Sequence, residues 1–577
     1  MNLSTPLTIE RIDDVPLLLA QMDRMGLREL LDLHFPTHGN WVGLSLGWVV
    51  TIWLTHILSE GDHRLNHVEP WAMSLQETLC QCTGRHVNRL DLADDHLAVV
   101  LRHLANDDHW EAGEAALTSR LLRVYELTPD CARIDSTTAK SYRPVTEEGL
   151  FQLGQSKDHR HDLPQVKIAL ATLDPLGMPV ATAVVGGNRA DDPLYMPAIR
   201  TVRRAIGRRG LLYVGDCKMG ALATRAFVQQ GGDYYLCPLA PQHLPGEELD
   251  RYLEPVWEGT QPLTPIFADA EAGKAPALLA EGYEREVTLA AWVGGKIVTW
   301  SERRLVLRSP AQAKSEEAAL RDRVAETLVG LSKLNERGLG KRRARDGEAF
   351  RARVGAARKR YHVEALIAVE VTEQVTKRRV QGYRGQPGRI VEERDGSVEA
   401  RVEEAALEAE LRRLGWRVFV TNEPEELLPL AAAVKAYRGQ FRIERGFGRL
   451  KGRALSLAPL YLQQEAHVVG LIRLLSLALR VLCLIEFVVR RGLSAAKESL
   501  EGLYAGQPKR ATEQPTSEAL LRAFRGIHLV PIPGVTAPLQ QITPPLSGLQ
   551  ERILALLELR SDTYSRLLCD SSHVDSK

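Results

Sequence analysis

Three acidic residues, far apart in the chain, stand where carboxylates could do chemistry together. Asp135 follows the short run Ala132-Arg133-Ile134 and precedes Ser136-Thr137-Thr138, and Asp216 closes Leu211-Leu212-Tyr213-Val214-Gly215. Both runs read as strands, so each aspartate is expected at a strand end, where the side chains of an open sheet converge on a crevice. An aspartate there also commonly caps a turn, so each is weak alone. The third acid has a sharper setting, because Tyr437, Glu444 and Lys451 follow one another at intervals of seven. Seven residues fall about 20° short of two helical turns, which lines the three side chains along one stripe of a helix. Arg438, Arg442, Arg445 and Arg449 are interspersed with them. One acid between a phenol and an ammonium, in a basic field, suits a metal ligand beside a phosphate backbone, and also suits an exposed helix with ordinary charge pairs.

The elements that must position these groups are legible in outline. From Asp23 to Tyr125 apolar residues recur at helical spacing, as in Leu97, Val100, Leu101 and Leu104, which predicts a helical N-terminal unit. From Ala132 the texture changes to β-like runs at 132–134, 166–173, 179–185 and 211–215, with a helix over 194–208 between the last two. This is an α/β core with a mixed sheet. After Tyr234–Pro238 come β-like pieces and charged helices over 312–336 and 399–414, which read as an insertion. The α/β texture resumes at Trp416–Thr421 and leads into one long helix over 429–451 and an apolar helix over 464–490. The expected units are therefore 1–128 (helical), 129–240 and 415–505 (the two parts of the core), 241–414 (insertion) and 506–577 (a polar linker and a helical tail).

Composition narrows the class. With 44% apolar and 25% charged residues in 577, most of the chain can bury cores. Seven cysteines without paired zinc spacing point to a reducing compartment and no structural zinc site. Residues 1–10 lack a signal-peptide pattern, and export is not expected. The apolar stretch 468–489 contains Arg473, Arg480 and Glu486 and reads as a buried helix; polar residues in 41–58 argue against a membrane span there. The net charge of +1 hides a polarity. Residues 1–128 hold nine arginines, no lysine and eighteen acids, a net of −9, whereas 341–389 carry fourteen basic and five acidic residues, a net of +9. A polyanion would be drawn to the second segment, although a solvated basic face has the same composition.

These residues resemble a known family. The run from Tyr437 to Lys451 is similar to the Y-x2-R-x3-E-x6-K signature of bacterial insertion-sequence DDE transposases, and Ile134-Asp135-Ser136-Thr137 and Val214-Gly215-Asp216 to the family's first and second acidic motifs. Residues 154–165 also resemble a run that follows the first aspartate in one branch. The signature's arginine falls on Gln440, so its phosphate contact would pass to Arg438 or Arg442. The resemblance implies an RNase H-like core carrying a β-rich insertion between Asp216 and Glu444, behind an all-helical N-terminal domain. It also implies that Asp135, Asp216 and Glu444 are catalytic and bind two Mg²⁺ or Mn²⁺ ions for phosphoryl transfer. Tyr437 and Lys451 would position phosphates, and Lys341, Arg342 and Arg343 in the insertion would hold the transposon end, with steep salt dependence. The expected partners are the terminal inverted repeats, target DNA and a second copy of the chain in the synaptic complex. The expected location is the bacterial cytoplasm, on the nucleoid.

Two other classes stay open: a DNA-binding descendant that no longer catalyses, and an RNase H-like nuclease that hydrolyses without joining. The N-terminal unit could recognise the ends or dimerise, and its acidity favours dimerisation. His159 and His161, two apart on a polar loop, read as solvent- or DNA-facing, and Cys217 lacks the histidine partner of a thiolate nucleophile.

Overall fold

A computed structural model describes residues 9–158, 160–269, 275–336, 347–381, 389–532 and 539–568. Lys341, Arg342 and Arg343 lie outside the described residues, as does His159.

The centre is a nine-stranded mixed sheet. Its strands are β1 (Cys131–Lys140), β2 (Gln165–Leu173), β3 (Met178–Gly186), β4 (Leu212–Gly215) and β5 (Tyr234–Pro238). They continue as β6 (Thr264–Phe267), β7 (Leu278–Val293), β8 (Lys296–Arg308) and β9 (Trp416–Thr421). Across the sheet the order is β3-β2-β1-β4-β5-β9-β8-β7-β6, with β1, β4 and β5 parallel and every other pairing antiparallel. The crossover helix α1 (Tyr195–Ile206) joins β3 to β4, and α2 (Leu222–Gln230) joins β4 to β5. The helices α3 (Leu430–Arg438), α4 (Phe441–Lys451) and α5 (Glu465–Ala496) follow β9.

Six expectations change. β1 does not stop after Ile134; it runs to Lys140, because Ser136–Lys140 go on pairing with β2 after the pairing with β4 ends. Asp135 is therefore inside a strand, not at its tip. The expected single helix over 429–451 breaks at Gly439-Gln440 into α3 and α4. The insertion is not separate from the core: β6, β7 and β8 extend the central sheet, and only the part from Pro310–Ser332 through the hairpin Ile367–Val380/Arg389–Val402 to the helix Glu404–Arg413 has an apolar cluster of its own. Residues 399–402, expected as helix, belong to that hairpin. Finally, the tail is not purely helical and the N-terminal unit not all-helical. The tail hairpin His528–Ile532/Leu539–Thr543 takes Glu10–Arg11 as a third strand, joining residues more than five hundred positions apart.

The remainder of the N-terminal unit, through Asp107–Val124, is helical as its periodicity predicts. It packs on α5, the one described helix long and apolar enough to cross a membrane, whose most apolar window is 94% buried inside the protein. Gly470 on α5 lets that helix touch the backbone of Leu101, since a Cβ there would stand 2.1 Å from its carbonyl oxygen.

At the joint between the chain's two ends, Asp14 accepts a hydrogen bond of 2.6 Å from Ser59 Oγ. Burial pushes the Asp14 carboxyl up from 3.8 to about 6, against the Ser59 hydroxyl and Arg525. A carboxyl raised in the fold binds its proton more tightly folded than unfolded. Its contribution is thus fully present below about pH 4 and is lost as pH rises to about 6, by about 3 kcal/mol for this group. Asp14→Asn should flatten the decline in melting temperature between pH 4 and pH 6, and an unchanged decline would refute the assignment.

Candidate active site

Register brings the two aspartates together. In the parallel ladder Ile134 lies opposite Gly215. The next residues are Asp135 and Asp216, so both carboxylates leave neighbouring strands at the same level, strands being about 4.8 Å apart. Beyond that level the strands part. β1 continues along β2, and the chain after Gly215 turns through Asp216-Cys217-Lys218-Met219, with Met219 N donating to the Asp216 carbonyl at 3.0 Å. Gly215 is required there, because a Cβ would lie 2.7 Å from Met219 Sδ and 2.8 Å from the Tyr195 ring.

Each carboxylate is oriented through one oxygen. Asp216 Oδ1 accepts from the Tyr195 hydroxyl at 2.6 Å and from Lys218 N at 2.9 Å. Asp135 Oδ1 accepts from Ser136 N at 2.7 Å and from Lys157 Nζ at 3.1 Å, and the same ammonium donates to the Ser136 carbonyl. Burial, and to a lesser degree the Asp216 charge, pushes the Asp135 carboxyl above its usual range, against Lys157 and Ser136. Burial and Asp216 hold the Tyr195 phenol far above its usual range, so it stays a donor. Beside them Asp191 accepts from Ser136 Oγ at 2.7 Å and Lys167 Nζ at 2.8 Å; burial would raise its carboxyl, but these bonds hold it low. Two half-buried carboxylates at one level of neighbouring strands, close enough for each charge to act on the other, can share a cation. Their hard oxygens suit Mg²⁺ or Mn²⁺, and the positive charge now at Asp135 is the ammonium of Lys157.

Glu444 sits on α4 and is exposed. The break puts Tyr437 on α3, off the expected stripe with Glu444 and Lys451 on α4, yet Tyr437 and Lys451 both reach the surroundings of the aspartates. Tyr437 packs edge-on against Phe419 at 4.6 Å, and burial, Arg417 and the nearby Asp216 set its phenol, which rises to about 12. Lys451 Nζ pairs with Asp158 at 2.7 Å, one residue from Lys157. The Glu444 carboxylate itself does not join the pair: among the described residues no three His, Cys, Asp or Glu side chains are gathered closely enough to hold an ion.

The arginines of this segment behave differently from the expectation that they surround the acid. At 100° per residue, Arg442, Arg445 and Arg449 point about 100–160° away from Glu444, around the far flank of α4. There Arg445 holds Glu486 with bonds of 2.5 and 2.8 Å, and Arg449, buried, reaches Glu486 and Glu518. They fasten the helix to α5 and to Ser517–Arg522. Arg442 lies 3.4 Å from Asp174, which also accepts two bonds from the buried Arg133. Arg438 is exposed. Gln440, at the signature's arginine position, starts α4 with its side-chain oxygen buried and unpartnered.

Gly439 is the point of closest approach at the break before α4. A Cβ there would lie 2.3 Å from Nη2 of Arg133 and 2.3 Å from Nη1 of Arg442. Arg133 cannot yield, being 1% exposed and clamped by Asp174. Alternation places Arg133 and Asp135 on the same face of β1, so this contact sets α4 over the face that presents Asp135. Gly439→Ala is expected to cost about 1–3 kcal/mol by overpacking and to tilt α4. The checks are the melting temperature and any DNA-cleaving activity; a variant equal to wild type in both would remove this role.

Sequence reasoning missed Tyr195, which no local pattern marks, and gave no role to Lys157, although its segment stands out after the first aspartate. Comparison with known proteins adds an independent line. A family model described as the transposase DDE domain matches residues 128–481. No curated protein matches. Among solved structures, the chain is similar to a piggyBac transposase synaptic complex with hairpin DNA studied by cryo-EM, at 6% identity and a TM-score of 0.34, over 90% of this chain and 82% of that one. The match at 128–481 takes in more than half the chain, including β1 with Asp135, the turn with Asp216 and α4 with Glu444, and by it the protein belongs to the transposase DDE domain family.

Proposed function

We propose that the chain is the transposase of a bacterial insertion sequence, cutting the element's ends and joining them to target DNA. The observation that carries this reading is the register that sets Asp135 and Asp216 side by side on parallel strands. The order β3-β2-β1-β4-β5, with only β2 antiparallel among the last four, supports an RNase H-like core.

In this reading Asp135, Asp216 and Glu444 hold two divalent ions, which when bound supply Lewis-acid stabilisation for in-line attack on a phosphodiester. The chain's own residues do the rest. Tyr195 keeps Asp216 in one rotamer by donating to Oδ1, leaving Oδ2 for a ligand. Lys157 neutralises Asp135 until a cation takes over that oxygen, and withdrawal of its ammonium couples the loop after Phe151 to loading of the site. Glu444 completes the ligand set by turning its exposed side chain towards the strands. Tyr437, Arg438 and Lys451 position backbone phosphates, and Lys341, Arg342 and Arg343 hold the transposon end by sequence-independent contacts. A second copy completes the synaptic complex, on the nucleoid in the cytoplasm.

The test uses a supercoiled plasmid bearing the DNA that flanks the gene, incubated with the purified protein in Mg²⁺ or in EDTA. Nicked ends and joined products in Mg²⁺ alone are expected. Equal cleavage in EDTA would overturn the metal-dependent reading. Cleaved ends that never join would favour a nuclease, and DNA binding without cleavage a descendant that has lost catalysis.

A further inference from the structure

Beyond the last pairs of β1 the surface carries two tyrosines that the chemistry above does not use. Tyr142 is 60% exposed and Tyr461 is 72% exposed. Their rings are nearly parallel, 23° between planes, with centroids 6.4 Å apart. Their footing is firm. Leu460 N donates to the Lys140 carbonyl at 3.0 Å and Ser141 Oγ donates to the Leu460 carbonyl at 2.9 Å, so the residue before each ring is tied to the other strand. A planar aromatic ring inserted between two others needs about 7 Å, twice the carbon–carbon contact distance. The centroid separation comes within 1 Å of that spacing, at the wide end of the range for aromatic pairs. Cations stand beside it. Arg143 Nη2 donates to the Gln463 carbonyl at 3.3 Å, and Arg160, held by Asp162 through bonds of 2.8 and 2.7 Å, stands on the loop that brings Lys157 to Asp135.

We propose that Tyr142 and Tyr461 form a clamp for one unpaired nucleobase, with Arg143 and Arg160 on its phosphates. Flat aromatic faces recognise any base, and the guanidinium groups select a nucleic acid strand over an aromatic side chain of a protein. The proposal rests on the reading of the chain as a DNA-acting enzyme and adds to it a site for single-stranded or extruded DNA.

The test is a single-stranded oligonucleotide carrying 2-aminopurine, titrated with full-length protein, with fully paired duplex in parallel. Wild type should quench the fluorophore. Tyr142→Leu and Tyr461→Leu, surface changes that leave the fold intact, should abolish quenching and weaken single-strand binding about tenfold. Tyr461→Phe should keep both, and duplex binding should be unchanged throughout. Leucine variants that quench and bind like wild type overturn the clamp, as does a wild type that binds duplex but not the single strand. A wild type that binds neither overturns the DNA reading, and the clamp with it.

Discussion

Glu444→Gln is expected to remove DNA cleavage and joining while leaving binding to the element's ends and the melting temperature unchanged. The carboxylate is exposed and no shift of its packing is needed to replace it, so the fold should not register the change. In the proposed function, what changes is one negative charge of the ligand set. Metal-held stabilisation of a phosphoryl-transfer transition state contributes several kcal/mol, and losing one ligand carboxylate should lower the rate about 10³-fold. Plasmid cleavage and strand transfer in Mg²⁺ measure the rate, and a gel-shift titration measures binding. Activity within tenfold of wild type would exclude Glu444 as a ligand. The experiment is decisive because register sets Asp135 beside Asp216, while among the described residues no third acid joins them closely enough to hold an ion. Another nearby carboxylate, Asp191, is already engaged by Lys167 and Ser136.

The limits of reading the sequence are visible at particular residues. The strands leading to Asp135 and Asp216 were legible because apolar and β-branched runs end in polar turns. The rest of β1 was not, because Ser136, Thr137 and Thr138 look like a turn and are in fact buried. Only the neighbouring strand explains them. The helix over 429–451 was legible as helix but not as two pieces: the turn at Gly439 lies tight against Arg133, about three hundred residues upstream, and no local pattern marks that contact. The same holds for Arg445 and Arg449. A basic residue on a helix reads as solvent-facing until its partner is known, and Glu486 and Glu518 are partners set by tertiary packing. The pairing of Glu10–Arg11 with the tail hairpin has no local signature at all. Charge within the apolar helix α5 was the most informative local clue, because arginines and a glutamate in such a run mark a helix buried with partners in protein.

The largest effect on stability is expected at one of those partners. Arg480 of α5 donates to Glu114 at 2.6 Å, with side chains 0% and 2% exposed. Glu114 also accepts from Thr182 N on β3 at 3.2 Å, and Arg480 donates to Thr118 at 3.3 Å. One buried pair thus ties together the helix Asp107–Val124, the core helix and an edge strand of the sheet. Burial pushes Glu114 up and Arg480 down, each towards its neutral form, and their mutual attraction opposes it. Glu114→Ala leaves a guanidinium buried without its counter-charge, a loss of about 3–5 kcal/mol, whereas replacing both residues by apolar ones, as in Glu114→Leu with Arg480→Met, should be near neutral. Calorimetry should show the single variant melting well below wild type and the double variant close to it. If the single variant melts with wild type, the pair does not hold the N-terminal unit to the central sheet. If the double variant melts as low as the single one, the loss comes from packing and the bonds to Thr182 and Thr118 rather than from an unpaired charge.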